Sequence, residues 1–265
     1  MLVAGVLGGA AGALFAHRAF SGRKHEATYP PLDEIKPLAD GIWIVDSGPI
    51  SVSGLKLPIR MTLVRLSAGS LFLHSPTRYS PALARAIETL GPVRHLVAPT
   101  TAHWSYLKEW QQAYPDATTW TVPGLRYRAQ VRKSGVRIDR DLGPASPPEW
   151  EHDLTQGIVA GGAGFREAYF FEKGSRTLLL ADLVENLEPR KLPWATRVIM
   201  RAAGATRATT ARHVRAVLRL GGRDTAASLH AMLALSPERV VLAHGTPFAE
   251  DGANRLRRAF AWIGN

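Results

Sequence analysis

The chain has 265 residues, 46% of them apolar and 21% charged, a composition of ordered globular protein rather than of a disordered tail. It contains no cysteine, so disulfides, thiolate metal sites and a cysteine nucleophile are excluded, and any metal must be held by histidine and carboxylate. The formal net charge of +11 at pH 7 favours anionic partners and carries no information about fold.

Residues 1–27 stand apart. Leu2–Ala16 carries no charge and is followed by His17, Arg18, Arg23, Lys24 and His25. As a helix that run would be about 22 Å long, short of a hydrocarbon core of about 30 Å. Its positive charges follow the apolar run, whereas a secretory signal places them before it. Gly5, Gly8, Gly9 and Gly12 suit close helix packing, and with no strand ahead of them they are not a dinucleotide loop. The segment reads as a candidate membrane anchor acting through residues 2–20. The positive-inside rule then puts the body in the cytoplasm. A loosely ordered terminus and a core helix are the alternatives. Residues 28–265 contain no long Ser/Gly or Pro-rich linker and read as one domain. Oligomeric state has no signature here.

In chain order, Tyr29–Ala39 is a proline-punctuated lead-in and Gly41–Asp46 a strand. Ser51–Pro58 reads as a loop, before a hairpin of Arg60–Leu66 and Ser70–His74 turning at Ala68-Gly69. Ser80–Leu90 is a helix, capped by Ser80 with Pro81 at its first position and Gly91 past its end. The strand Val93–Ala98 follows, then a helix ending near Tyr114, and then the strand Asp116–Val122. Leu125–Trp150 reads as a helix and irregular chain, and Gly157–Gly164 as a Gly/Ala-rich bend. Glu167–Phe171 and Arg176–Asp182 form a hairpin around Lys173-Gly174. Helices over Trp194–Ala203, Thr210–Leu220 and Thr225–Leu235, the strand Arg239–Ala243 and a helix over Ala253–Ile263 complete an α/β pattern of sheets covered by helices.

The positive charge is concentrated in the 189–223 stretch: Arg190, Lys191, Arg197, Arg201, Arg207, Arg212, Arg215, Arg219 and Arg223, with no acid among them. This is either a solvated helix face or a surface for an anionic partner. Nucleic acid is disfavoured, because Trp194 is the only aromatic interleaved for base stacking. A basic amphipathic helix behind a candidate anchor fits an anionic leaflet better.

His103 in PTTAHW, Asp182 in LLLADLVEN and His244 in VVLAHGTPF each stand just past an apolar strand. Strand ends on one sheet edge can converge in space. Two histidines and a carboxylate are the ligand set of a hydrolytic zinc site with a fourth position for water. The spacing is not a short-range metal motif, and separate turn or capping roles are the alternative. His74, at a strand end, reads as structural or as lining the same edge. His95, His152, His213 and His230 read as structural, and Ser75 stands in no GxSxG elbow.

RDTAASLHAMLALSPERVVLAHGTPF, Arg223–Phe248, resembles the end of metallo-β-lactamase-fold proteins, and LLLADLVEN resembles the strand whose terminal aspartate bridges their metals. LPIRMTLVRLSAGSLFLHSP, LGPVRHLVAP and SRTLLLADLVEN resemble the DUF4336 family, a divergent branch of that fold, over about Leu38–Ile263. The resemblance implies an αββα sandwich, mixed sheets covered by helices, with Asp182 in the bridging place and His244 as last histidine. It also exposes departures. The fold's HxHxDH loop is here PTTAHW, and the histidine expected before EAYFF is absent, since GGAGFRE offers only Arg166 and Glu167. The resemblance thus implies at most one divalent metal, zinc first, on His103, Asp182 and His244, with Glu167 as fourth ligand or general base. Two functions stay open: a mononuclear metal-dependent hydrolase of unassigned substrate, and a non-catalytic scaffold of the same fold that binds an anionic partner or membrane surface through its basic helices.

Overall fold

The structure is a computed structural model that describes residues 27–263, so the apolar segment Leu2–Ala16 lies outside the described residues. Seven strands form the first sheet in chain order: β1 (Lys36–Ala39), β2 (Ile42–Val52), β3 (Leu55–Arg65), β4 (Leu71–His74), β5 (Val93–Ala98), β6 (Thr118–Thr121) and β7 (Arg140–Asp141). Its pairs are antiparallel up to β4 and parallel beyond. The second sheet has the order β11 (Arg239–Leu242), β10 (Thr177–Leu180), β9 (Arg166–Glu172), β8 (Leu154–Ala160), with only β10 and β11 parallel. The helices are α1 (Pro81–Glu88), α2 (Leu107–Ala113), α3 (Ala129–Ser134), α4 (Trp194–Ala203), α5 (Arg212–Arg219), α6 (Gly222–Ala234) and α7 (Gly252–Ala259).

Side chains of period two sort into three apolar layers. Leu71 and Leu73 of β4 and Leu96 of β5 pack on Leu83 and Ile87 of α1 and Trp110 of α2. Between them in sequence, Phe72 points the other way, and with Val97 and Trp120 it meets Phe170, Leu179 and Val241 of the second sheet. On the outer side of that sheet, Leu178, Leu180, Val240 and Leu242 face Val214, Leu218, Leu229 and Leu256 of α5, α6 and α7. The layers therefore run α/β/β/α, as the resemblance implied. β4, β10 and β11 carry the short apolar runs Leu71–Leu73, Leu178–Leu180 and Val240–Leu242 because both faces are covered there. The α1 cap is as expected, with Ser80 Oγ accepting from the Leu83 amide at 3.2 Å and Pro81 in the first turn.

Three local readings are corrected. Ser51–Pro58 is not a loop: β2 and β3 continue to a tight turn at Ser53-Gly54, where both residues have positive φ. The register shift between Ser47 and Ile50 absorbs Pro49, and Leu55 and Leu57 pack against Leu187, Leu192 and Met200. Gly157 lies inside β8 rather than in a bend, because a Cβ there would sit 2.2 Å from the Tyr169 hydroxyl on the facing strand. Lys36–Ala39, within the proline-punctuated lead-in, pairs as the edge strand β1.

His95 sits between the sheets among Phe72, Trp120 and Trp150, its Nδ1 accepting from Trp120 Nε1 at 3.3 Å. Burial pushes it down to about 4 from the ordinary value of 6.5. The unfolded chain then takes up a proton that the folded chain refuses, so this contribution is complete above about pH 6.5 and falls away as pH drops toward 4. Urea unfolding at about pH 7.5 and about pH 4.5 should show His95→Gln losing about 2 kcal/mol less than the parent over that interval.

Candidate metal centre

β10 and β11 are parallel neighbours with Leu180 opposite Leu242, so the residues just beyond them, Asp182 and His244, leave the sheet side by side. His103 arrives from the opposite sheet, on the loop after β5. That loop is stitched to the start of β9 by a Thr100–Glu167 bridge and by the Ala168 amide donating to Pro99 O at 2.8 Å. The three side chains converge. His103 Nε2 lies 3.0 Å and His244 Nε2 3.3 Å from Asp182 Oδ1, and the two Nε2 atoms are 3.3 Å apart. One donor atom from each residue falls within 4.8 Å of the others, so the group could hold a metal ion.

The far ends of both rings are already engaged. His244 Nδ1 lies 2.7 Å from Pro58 O. A carbonyl only accepts, so Nδ1 carries a proton and Nε2 is the ring atom that faces the cluster, its lone pair open to a cation once its own proton leaves. His103 Nδ1 lies 2.6 Å from Ser75 Oγ. Ser75 ends β4 with a φ of 56°, an uncommon conformation for a residue with a Cβ, which is held by its amide donating to Val97 O at 2.9 Å. Ser75, His103 and Asp182 thus stand in the order of a nucleophile, base and orienter. His244 converging on the same Asp182 oxygen makes the serine a support for a ligand instead.

The electrostatics follow from burial and pairing. Burial alone would raise Asp182, but the charges and hydrogen bonds of His103 and His244 hold it well below the usual carboxylate range. Burial would lower His244, yet Asp182, Glu185 and the Pro58 carbonyl carry it up to about 9. Its positive charge offsets the carboxylate in the place a cation would take.

Glu167 is not brought to the cluster as a ligand. Its carboxylate is fully buried and accepts from the amides of Ala181 (2.7 Å), Asp182 (2.8 Å) and Leu183 (2.8 Å). It shapes the loop that carries Asp182. Burial and the Asp182 charge push it up to about 8 against the pull of those amides. Sequence reasoning missed Glu185, whose buried Oε2 has no hydrogen-bond partner and whose backbone pairs with Thr209 beside the strand end of His244. Burial pushes it up to about 7, with His244 opposing and Asp182 adding. No short motif marks it, since only the fold sets it beside His244. His74 is buried against Phe170 with its Nε2 unpartnered, and burial with the neighbouring His103 pushes it down to about 3.

Two further residues place His244. Arg60 is buried and donates from Nη1 to Leu242 O (2.8 Å) and Gly245 O (2.6 Å), while Nη2 pairs with Asp46 at 2.6 Å. Gly245 has a φ of +94°, and a Cβ on it would lie 2.2 Å from Asn186 O, so only glycine lets the chain cross here.

The model of the family described as "Domain of unknown function (DUF4336)" matches residues 39–215, and the chain belongs to that family. Among curated proteins, no sequence matches the chain. Solved structures place the fold. The DIM-1 metallo-β-lactamase exposed to ceftazidime is similar with a TM-score of 0.59 at 12% identity, over 87% of this chain and 97% of that one. The metallo-β-lactamase from Pontibacter korlensis has a TM-score of 0.52 at 13% identity, over 86% and 98%. A metal-soaked Flv1 flavodiiron core from Synechocystis sp. PCC6803 has a TM-score of 0.60 at 13% identity, over 89% of this chain and 60% of that one. The fold is that of the metallo-β-lactamases, and the family is a divergent branch of it.

Glu167→Ala leaves three inward-facing amides, two of them fully buried, without an acceptor at the loop that carries Asp182. Thermal unfolding should show a loss of about 3 kcal/mol or more, and a change under about 1 kcal/mol would contradict the loop-shaping role.

Proposed function

We propose that the protein is a mononuclear metal-dependent hydrolase, with His103, Asp182 and His244 holding one divalent cation, zinc first. The observation that carries this is the preset ligand chemistry. Two Nε2 atoms and one carboxylate oxygen meet at one point, with the remote ring nitrogens engaged by Pro58 O and Ser75 Oγ. Histidine and carboxylate without thiolate suit zinc, and three protein ligands are the count that leaves a catalytic position open. A zinc ion so held supplies Lewis acidity and activates water near neutral pH.

The chain's own residues divide the remaining work. His244 is fixed in one tautomer by Pro58 O, and Asp182 neutralises part of the cation's charge. Glu167 is turned to the three loop amides and serves the loop in this reading. Glu185 is the neighbouring carboxylate without a hydrogen bond, and it is the general base in this reading. The fold shared with a metallo-β-lactamase supports hydrolysis as the reaction type. The substrate stays unassigned.

Apoprotein titrated with zinc, with elemental analysis after dialysis, should give one tightly bound ion per chain. Asp182→Ala and His244→Ala should lose it. Ser75→Ala should weaken it about tenfold by freeing the His103 ring. Tight metal far below one per chain, equally in parent and variants, would overturn the metal reading. Loaded protein is then offered β-lactams, carboxylic esters, thioesters and phosphodiesters. Chelator-sensitive hydrolysis of one class, abolished in Glu185→Gln with zinc retained, is expected. Stoichiometric zinc with no hydrolysis above the Asp182→Ala background would favour the scaffold.

A further inference from the structure

α4 is built inside out. Its inner face, Thr196 and Met200, is buried over Leu55, Leu57, Leu187 and Leu192, and Thr196 Oγ1 accepts from the Lys56 amide of β3 at 3.4 Å. Stepping about 100° per residue, Trp194, Ala195, Val198, Ile199 and Ala202 share the opposite face. That face is open: Trp194 is 73% exposed, Val198 56% and Ile199 46%. An ordinary surface helix places its polar residues there. A large aromatic and two branched aliphatics grouped on one helix differ from the single exposed apolar residues found on most surfaces.

The rim of the stripe is cationic. Arg197 and Arg201 flank it on one side, Arg190 precedes the helix and Arg207 follows it. Among the described residues none of these four arginines makes an ion pair. An apolar face bearing tryptophan, edged by unpaired arginines whose stems can lie along an apolar surface, is the arrangement of a helix lying in the plane of a membrane interface. Charge selects among occupants. A second copy would set Arg197 and Arg201 against their own kind on a chain of formal charge +11. A nucleic acid would leave Val198 and Ile199 unused.

We propose that α4 docks this protein on an anionic phospholipid surface, with Trp194, Val198 and Ile199 inserted at the headgroup boundary and Arg197 and Arg201 on the lipid phosphates. The docking does not depend on a metal at the site. Through its inner face α4 packs on β3 and on the loop after Asp182, the two segments that also hold the ligand cluster.

The chain has no cysteine, so Val198→Cys carries a single environment-sensitive fluorophore on the full-length protein. With phosphatidylcholine vesicles containing about one-third phosphatidylglycerol, the emission should shift to the blue, and it should return as salt is raised. Phosphatidylcholine alone should give little shift. In flotation assays Arg197→Gln/Arg201→Gln should bind such vesicles about tenfold more weakly, with circular dichroism confirming that the variant is folded. Two results would overturn the proposal. One is a full-length chain that floats with vesicles while the label at position 198 stays aqueous, which assigns binding to another segment such as residues 2–20. The other is a label that shifts without vesicles in step with dimer formation by sedimentation, which assigns the face to a second copy.

Discussion

One buried guanidinium ties the two sheets together where the candidate site is made. Arg60 rises from β3 and donates to the carbonyls of Leu242 and Gly245, on either side of His244 in the opposite sheet. A buried arginine is costly to desolvate. Here burial lowers it from its ordinary value while Asp46 opposes that, and Lys36 in turn holds the second Asp46 oxygen at 2.9 Å. The pair is less a source of stability than a fixture of geometry. It positions the β11 end against β3, so that Pro58 O can accept from His244 Nδ1 and set the tautomer the cluster requires.

A second constraint works from the other strand. Asp182 leaves β10 in a loop whose three leading amides are gathered on one buried carboxylate, Glu167. Backbone donors aimed inward would be expensive without an acceptor, and Glu167 satisfies them together. The loop is held while Asp182 faces the two histidines. Around it the two histidines hold Asp182 low, Asp182 and Glu185 carry His244 up, and burial with the Asp182 charge raises Glu185, a pattern often met where titratable groups are used.

Much of the fold was legible because burial on both faces leaves a plain mark. β4, β10 and β11 carry short apolar runs, and the polar residues beyond strand ends, His103 after β5, Asp182 after β10 and His244 after β11, point to one edge. What escaped depends on contacts distant in sequence. Gly157 suggests a bend, but Tyr169 lies across it, and Ser51–Pro58 suggests a loop, but its residues pair between β2 and β3 across the Ser53-Gly54 turn, with the register shift at Ser47–Ile50 taking up Pro49. Glu167 accepts from three loop amides, a use that sequence does not reveal, since a carboxylate that serves amides and one that serves water look alike there. Glu185 and Ser75 gave no sequence signal, because one owes its place to a bridge with Thr209 and the other to a positive φ.

The most direct measurement is an anomalous difference map from crystals of the parent chain soaked in zinc. One peak per chain is expected, at about 2.0–2.2 Å from His103 Nε2, His244 Nε2 and an Asp182 carboxylate oxygen, and absent in Asp182→Ala crystals soaked alike. A map with no peak there, and with His103 and His244 still bonded to Asp182, would show that the cluster is a hydrogen-bonded strut and not a metal site.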